Sequence, residues 1–263
     1  DLEDAIYKYE CLVPYYYYPE FIELTDEEQN TYRELSAAIA AALARGNEDA
    51  AKAAAGRRAQ VLKHADRKLQ SLRTLLTKGL ANESHIFIYA AEGNDPDGNM
   101  DAKTFEIVLE MTREFGMKTE PYTAETKPEK RLQLQQRLAS GEIQALVAMK
   151  CLDEGIDVPE ARTGIFMAST QNPRQFIQRR GRLLRKAHGK FAANLYDMLV
   201  TPPADIDITH SEKKLIGVEL ARAAELARIG KNSSVIEELI RVGNKYNLDH
   251  EQNSWLTDFD RKK

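Results

Sequence analysis

The residues best suited to chemistry lie in a short basic run with arginines at positions 179, 180, 182 and 185. At helical spacing Gln178, Arg182 and Arg185 share one face, because they lie four and three positions apart. Arginine carries a permanent charge on a planar group whose N–H bonds match the oxygens of a phosphate. Gly181 lowers helix stability by about 1 kcal/mol relative to Ala, so its missing side chain is expected to serve some purpose. Taken alone, the run is compatible with a phosphate-binding face or with a solvated basic helix face.

A second promising segment is the run DEGIDVP at residues 153–159, which follows an apolar stretch that ends at Met149. Loops at the carboxyl ends of parallel strands are where such sheets bind ligands. Gly155 permits close approach of the backbone, and Asp157 can accept a hydrogen bond from a sugar hydroxyl. Taken alone, the simpler interpretation is an acidic turn that ends at Pro159.

Short apolar runs and helical patterns alternate around these two segments. Continuous apolar runs, typical of strands buried on both faces, occupy residues 86–90, 145–149 and 164–168, and residues 195–200 add a fourth, more mixed run. Helical periodicity covers residues 102–115, 128–139 and 173–185. Apolar strands that alternate with helices predict an α/β fold, with a parallel sheet covered by helices on both faces.

The N-terminal part of the chain predicts one strand followed by a helical hairpin. The tyrosines at 15–18 and the alternating residues 20–24 favour a half-buried strand over a platform for base stacking. Thr25, with Glu28 three positions later, forms a capping box that opens a helix, and Gly46 ends it. A second helix is expected from residue 47 to residue 78, weakened near Gly56.

The C-terminal part is expected to be helical and carries no motif that predicts a function. Thr209 or Ser211 caps a helix that ends at Gly230, and Ser234 opens another that ends at Gly243. The predicted organisation is a first strand and helical hairpin at 1–78, a central α/β lobe at 79–204 and a helical extension at 205–263.

Composition and charge exclude several classes of protein. A net charge of −4 and a pI near 5.9 argue against a domain that coats DNA by charge alone, although a local basic cleft is compatible with them. No apolar run approaches the ~20 residues that span a bilayer, and the N-terminus lacks the character of a signal peptide. Cys11 and Cys151 have no metal-ligand spacing, and the histidines are scattered, so no metal site is predicted. The sequence predicts a cytoplasmic, intracellular protein.

Together, in this order and at this spacing, the two segments resemble the superfamily 2 helicases and translocases of the DEAD/DEAH type. DEGIDVP is similar to motif V of that family, and QRRGRLLR at 178–185 is similar to its motif VI, Q-x-x-G-R-x-x-R. Residues 86–89 resemble the motif IV strand, and YTAET at 122–126 resembles the segment that leads to motif V. The resemblance extends over roughly residues 10–200 and favours the branch that includes the repair helicase XPB. It implies a RecA-like C-terminal motor lobe.

The resemblance assigns five residues to the nucleotide site. Arg182 and Arg185 match the arginine fingers, which stabilise charge on the γ-phosphate during its transfer to water. Gln178 matches a position that links the nucleotide site to the other lobe. Asp157 matches a residue near the ribose, and Gly155 gives the loop its shape.

Two further residues match positions that contact a nucleic-acid backbone in the family. Thr123 and Lys150 lie at the predicted ends of strands, although any exposed Thr or Lys has the same appearance in a sequence. The implied polymer partner is nucleic acid, with DNA favoured over RNA.

The motifs that hold ATP and Mg²⁺ in such motors are missing from this sequence. It contains no G-x-x-x-x-G-K-[ST] phosphate loop and no D-E-x-H motif. In the family those motifs belong to an N-terminal motor lobe, which is therefore an implied partner of this chain. Because the chain does not begin with Met, we expect it to be part of a longer protein. We also expect that it neither binds ATP tightly nor hydrolyses it alone.

Two other functions fit the sequence less well. A non-catalytic nucleic-acid-binding or regulatory module would keep the shape of the lobe, but it has no need of Arg182, Arg185 and Asp157. A nucleotide-binding α/β domain of unrelated chemistry is disfavoured because the chain has no G-x-G-x-x-G loop. The leading interpretation is the C-terminal lobe of an ATP-dependent helicase or translocase.

Overall fold

The computed structural model of this chain contains two compact units, each described by itself below. The sheet unit comprises Asp1–Glu20, Leu69–Met198 and Ile229–Asn232, and the helical unit comprises Phe21–Lys68, Leu199–Arg228 and Ser233–Lys263. The predicted boundaries at residues 78 and 204 stay a prediction. The structure describes residues 2–91, 99–123, 125–149, 159–167, 181, 183–203 and 207–248.

A six-stranded sheet forms the centre of the fold, in the order β1-β6-β5-β2-β4-β3. The pairs β2–β4, β2–β5, β3–β4 and β5–β6 are all parallel. Their shared direction brings the carboxyl ends of these strands to one edge of the sheet. The strands are β1 (Tyr15–Glu23), β2 (Ile86–Ala91), β3 (Thr119–Thr123), β4 (Ala145–Met149), β5 (Thr163–Phe166) and β6 (Ala193–Thr201).

Among the described residues, the α-helices beside the sheet include α3 (Arg67–Thr77), α4 (Asn99–Glu114) and α5 (Pro128–Ala139). Helix α4 packs against β2, β3 and β4. Burial of the central strands is nearly complete, because Ile86, Ile88, Val147 and Ile165 are each 0% exposed. The predicted RecA-like α/β fold is confirmed, and the four apolar runs form β2, β4, β5 and β6.

Strand β1 has the alternating burial that the tyrosine run predicts. Tyr15 and Tyr17 are buried, whereas Tyr16 and Tyr18 are half-buried. The Tyr17 hydroxyl donates to Oδ2 of Asp197 on β6 over 3.1 Å, and the Tyr18 ring stacks on Tyr196 at 4.8 Å between centroids. The half-buried strand is therefore confirmed for this segment.

The helical unit contains α1 (Asp26–Ala44) and α2 (Glu48–Lys63), which pack against each other as the predicted hairpin. The capping box at the start of α1 is confirmed. The amide of Glu28 donates to the Thr25 hydroxyl over 3.3 Å, and the amide of Thr25 donates to the Glu28 carboxylate over 2.8 Å.

The weak point predicted at Gly56 is wrong, because α2 continues through this residue to Lys63. The helical path breaks at residues 64–66, where the backbone finds other partners. Nζ of Lys68 donates to the carbonyls of Leu62 and Lys63, and the amide of Asp66 donates to Oε1 of Glu28. Gly56 is exposed and its missing side chain meets no neighbour, so its low helix propensity is tolerated.

The C-terminal helices of this unit are α6 (His210–Ile229) and α7 (Val235–Lys245). Thr209 begins α6 as predicted, since the amide of Glu212 donates to its hydroxyl over 3.4 Å. Ser234 is the residue before α7, but its side chain makes no capping hydrogen bond. Helix α7 also continues two residues past the predicted stop at Gly243.

A buried carboxylate joins α1 to α6 within the helical unit. Glu212 is 0% exposed, and its oxygens accept hydrogen bonds from Arg33 Nε (2.8 Å), Gln29 Nε2 (2.9 Å) and Thr209 Oγ1 (2.7 Å). Burial alone would raise the pKa of Glu212, but the hydrogen bonds from Arg33, Thr209 and Gln29 outweigh burial and lower the pKa.

Candidate functional site

Two of the seven predicted site residues are described by the structure. Thr123 ends β3, and Arg185 lies a few residues before β6. The predicted assignments of the remaining five lie outside the described residues and stay predictions: Lys150, Gly155, Asp157, Gln178 and Arg182.

Thr123 lies at the carboxyl end of β3, directly opposite Met149 at the end of β4. Its backbone N–H donates to the hydroxyl of Thr126 over 3.0 Å, and the two hydroxyl oxygens are 3.3 Å apart. Both residues are half-buried. A pair of neighbouring hydroxyls at this edge can donate hydrogen bonds to a phosphate oxygen.

Arg131, on α5, orders the turn that follows Thr123. Its Nε donates to the carbonyl of Thr126 over 2.8 Å, and its guanidinium lies 5.8 Å from the centroid of the Tyr122 ring. Neither Thr126 nor Arg131 was assigned a role of its own from the sequence. The available signal was a Thr three positions after another Thr at a strand end, which is typical of a side-chain hydrogen bond that closes a turn.

Arg185 belongs to a segment whose backbone is fixed on its neighbours. The amide of Val13 donates to the carbonyl of Leu184 over 2.7 Å, and Leu12 forms an isolated antiparallel bridge with Arg185. Leu184 is buried, while Arg185 itself is exposed. Leu183 is buried as well. The backbone at Arg185 is therefore held in place, while the residue itself is exposed.

Leu183 packs into space that exists only because residue 164 is a glycine. A Cβ built on Gly164, in β5, would lie 2.5 Å from Cδ2 of Leu183 and 3.1 Å from the Phe166 ring. Real carbon atoms do not approach this closely, so any side chain at position 164 would displace Leu183. The close contact between β5 and Leu183 fixes the segment that leads to Arg185.

Lys190 is a buried cation that the sequence analysis missed. Gly189, with φ of +69°, turns the chain into Lys190, whose side chain is only 6% exposed. Its Nζ donates to the carbonyl of Pro159 over 2.8 Å and to the carbonyl of Leu183. Burial lowers the pKa of Lys190 to about 8, with Glu160 opposing the shift and Arg162 adding to it. A single lysine in a polar loop gives no sequence signal for such a role.

Within the part of the chain that the structure describes, no cluster of His, Cys, Asp and Glu side chains has the arrangement of a metal site. None of the described helices is long and apolar enough to cross a membrane.

Part of the chain is similar to a family of known proteins. Residues 67–187 match the family model described as "Helicase conserved C-terminal domain". The DNA 3'-5' translocase XPB2 of Sulfurisphaera tokodaii is 42% identical over 64 residues, which are 24% of this chain and only 15% of that relative.

Solved structures agree on the fold. The Sulfolobus solfataricus SWI2/SNF2 ATPase core in complex with dsDNA matches with a TM-score of 0.55 and 13% identity, over 82% of this chain and 50% of that one. The C-terminal part of the Fun30 ATPase domain matches with a TM-score of 0.53 and 10% identity, over 82% of this chain and 99% of that one. Residues 67–187 therefore match the helicase conserved C-terminal domain, and the solved structures support the fold of the chain.

Proposed function

We propose that this chain is the second motor lobe of an ATP-driven nucleic-acid translocase, with DNA as the favoured polymer. The observation that carries the proposal is the fixed backbone at Arg185. Arg185 is exposed, while the backbone before it is held by Val13 and by the packing of Leu183 on Gly164. The backbone of a residue that contacts a transferring phosphoryl group must be held in place, because a displacement of about 1 Å can lower the rate 100-fold.

In the proposed motor, Arg182 and Arg185 stabilise the charge on the γ-phosphate during hydrolysis. Gly155 and Asp157 contact the ribose side of the nucleotide, and Gln178 links the site to the other lobe. Bound Mg²⁺-ATP supplies the phosphoryl group, and its phosphates and metal are held mainly by an N-terminal motor lobe. The exposure of Arg185 suits this arrangement, because the residue approaches the phosphates from a lobe that need not bind the nucleotide tightly itself.

Thr123 and Lys150 are proposed to contact the nucleic-acid backbone, and Thr126 joins them. The support is the hydroxyl pair of Thr123 and Thr126, which lies at the carboxyl edge of the sheet with its turn ordered by Arg131. Contacts of this kind fix the position of a strand without reading its bases. The preference for DNA rests on the curated relative, which is named a DNA translocase, and on the SWI2/SNF2 core, which was solved with dsDNA.

The alternative is a non-catalytic module that keeps the lobe fold for nucleic-acid binding or regulation. The two functions differ in what removal of an arginine does. In a motor, loss of a finger arginine abolishes turnover, whereas in a binding module it changes affinity only. We favour the motor because the chain retains both arginines of the motif. We propose that this motor acts inside the cell.

The test is nucleic-acid-stimulated ATP hydrolysis by the full natural gene product, compared with this chain alone. Arg185→Ala should lower kcat by roughly 10³-fold or more with little change in KM for ATP, as expected for a finger arginine. The matched control is Arg113→Ala, which removes an exposed arginine from α4 and should leave kcat unchanged. This chain alone should show no turnover.

Three results would overturn the proposal. One is an Arg185→Ala enzyme that turns over at the wild-type rate. Another is steady hydrolysis by the isolated chain that depends on Arg182. The third is a natural gene product with no phosphate loop and no separate subunit that supplies one.

A further inference from the structure

Two segments assigned to the nucleotide site converge on one buried ammonium group. Pro159 ends the DEGIDVP run, and Leu183 lies between the positions of the two proposed finger arginines. Nζ of Lys190 donates to the carbonyl oxygens of both, at 2.8 Å for Pro159. One side chain therefore joins backbone from the end of the motif V segment to backbone within the motif VI segment.

Burial and hydrogen bonds hold the side chain of Lys190 in one position. A lysine on a surface keeps its ammonium in water, but this side chain is 6% exposed and its charge faces carbonyl dipoles. Burial of a cation is unfavourable unless hydrogen bonds compensate for the lost water. The lowered pKa of about 8 is the sign of that unfavourable burial. Hydrogen bonds to a charged donor are also stronger than neutral ones, so each bond restrains its carbonyl firmly.

Two other described contacts of the motif VI segment reach different parts of the chain. Leu183 packs on Gly164 of β5, and the carbonyl of Leu184 accepts from Val13. These contacts fix the segment against the sheet and the N-terminal residues. The bond to Pro159 is different, because it connects the same segment to the chain that carries Gly155 and Asp157.

We propose that Lys190 is a positioning residue for ATP hydrolysis, which sets the spacing between the motif V segment and the arginine-bearing motif VI segment through the carbonyls of Pro159 and Leu183. This inference rests on the proposed function. Lys190 itself touches neither nucleotide nor nucleic acid in the proposal. Its loss is expected to reduce the rate of the chemical step and to leave nucleotide and nucleic-acid binding nearly unchanged.

The experiment compares Lys190→Met with Lys186→Met in the full natural gene product. Both changes replace a lysine in the same segment, but Lys186 is exposed and outside the proposed site. Lys190→Met should lower kcat by roughly 10- to 100-fold, the size expected when catalytic groups are displaced by about 1 Å. KM for ATP and the affinity for duplex DNA should change little. Lys186→Met should behave as the wild type.

Lys190→Arg provides a second variant should the methionine variant fold poorly. Arginine keeps charged N–H donors for the two carbonyls, so this variant should recover most of the lost kcat. Amide hydrogen exchange adds a readout that does not need activity. In this chain, Lys190→Met should accelerate exchange in peptides covering residues 160–163 and 183–187, while the thermal midpoint of unfolding stays close to that of Lys186→Met.

The outcomes separate this inference from the proposed function. If Arg185→Ala abolishes turnover while Lys190→Met turns over at the wild-type rate, the positioning role is wrong and the motor stands. Equal losses for Lys190→Met and Lys190→Arg, with hydrogen exchange unchanged at both segments, also overturn it. If Arg185→Ala has no effect, the proposed function fails first, and the exchange data still report whether Lys190 joins the two segments.

Discussion

Replacement of Gly164 by alanine is a direct test of how the arginine-bearing segment is seated. The new Cβ would lie 2.5 Å from Cδ2 of Leu183, whereas carbon atoms in contact are normally about 3.5–4.0 Å apart. Leu183 must therefore retreat by roughly 1 Å or more. It has little room, because Leu183 is 3% exposed and Phe166, beside it, is 2% exposed. The backbone cannot move away either, since β5 is paired with β2 and β6 on its two sides.

Insertion of atoms into a packed core typically lowers the free energy of unfolding by about 1–3 kcal/mol. For a chain of this size, each kcal/mol corresponds to roughly 2–4 °C in the thermal midpoint. Gly164→Ala is therefore expected to lower the midpoint of the sheet unit measurably, in a scan followed by circular dichroism or calorimetry. The same chemical change at Gly56 is the matched control, because a Cβ there meets nothing within 4 Å. Gly56→Ala should stabilise α2 by up to about 1 kcal/mol.

A double variant connects the loss of stability to Leu183. Leu183→Ala alone should lower stability by about 2–5 kcal/mol, as for other buried leucines. Gly164→Ala combined with Leu183→Ala should be less destabilised than the sum of the single variants, with a coupling of at least about 0.5 kcal/mol. Strict additivity, or a Gly164→Ala variant as stable as the wild type, would refute the packing of the motif VI segment on β5.

Two further predictions concern polar contacts. Glu212→Gln should lower the free energy of unfolding at pH 7. The pKa of Glu212 is lowered because donors that include Arg33 form hydrogen bonds to the ionised carboxylate, and the variant loses that charge. The stabilisation by the ionised carboxylate is fully present above the unfolded pKa of about 4.3 and is lost as pH falls through the folded pKa. In urea unfolding, the difference in stability between the variant and the wild type should therefore shrink toward acid pH. Asn232→Ala removes two hydrogen bonds to the backbone of Tyr17, at 2.9 and 2.7 Å. It should reduce the free energy of unfolding by about 1–2 kcal/mol and accelerate hydrogen exchange of the Tyr17 amide. An unchanged exchange rate would contradict this prediction.

The central strands were predictable because burial on both faces leaves a continuous apolar run in the sequence. Residues 86–90 and 145–149 have that character, and they form β2 and β4. Strand β3 gave no such signal, since its sequence TEPYT is mixed and contains Pro121. It lies at an edge of the sheet, where a proline and polar side chains are tolerated. Its pairing with β4, rather than its own composition, makes it a strand.

Residues of the candidate site could be proposed from the sequence only where they belong to a motif. Arg185 and Thr123 were proposed through the resemblance, and their roles stay predictions. Lys190 gave no signal, because its role depends on two carbonyl groups that are distant in sequence and adjacent only after folding. The break at residues 64–66 was missed for the same reason, since Glu28 of another helix accepts from the Asp66 amide.

The placement of β1 beside β6 has a consequence for how the protein is made. Tyr17 and Asp197 are joined by a hydrogen bond although they are 180 positions apart. At roughly 5–20 residues per second, a ribosome needs about 10–40 s to synthesise the intervening chain. During that time β2, β3, β4 and β5 can assemble, while the edge of β1 that will pair with β6 stays unpaired. The last step of sheet formation is therefore also the step most open to mispairing, and slower translation through residues 24–192 would lengthen that exposure.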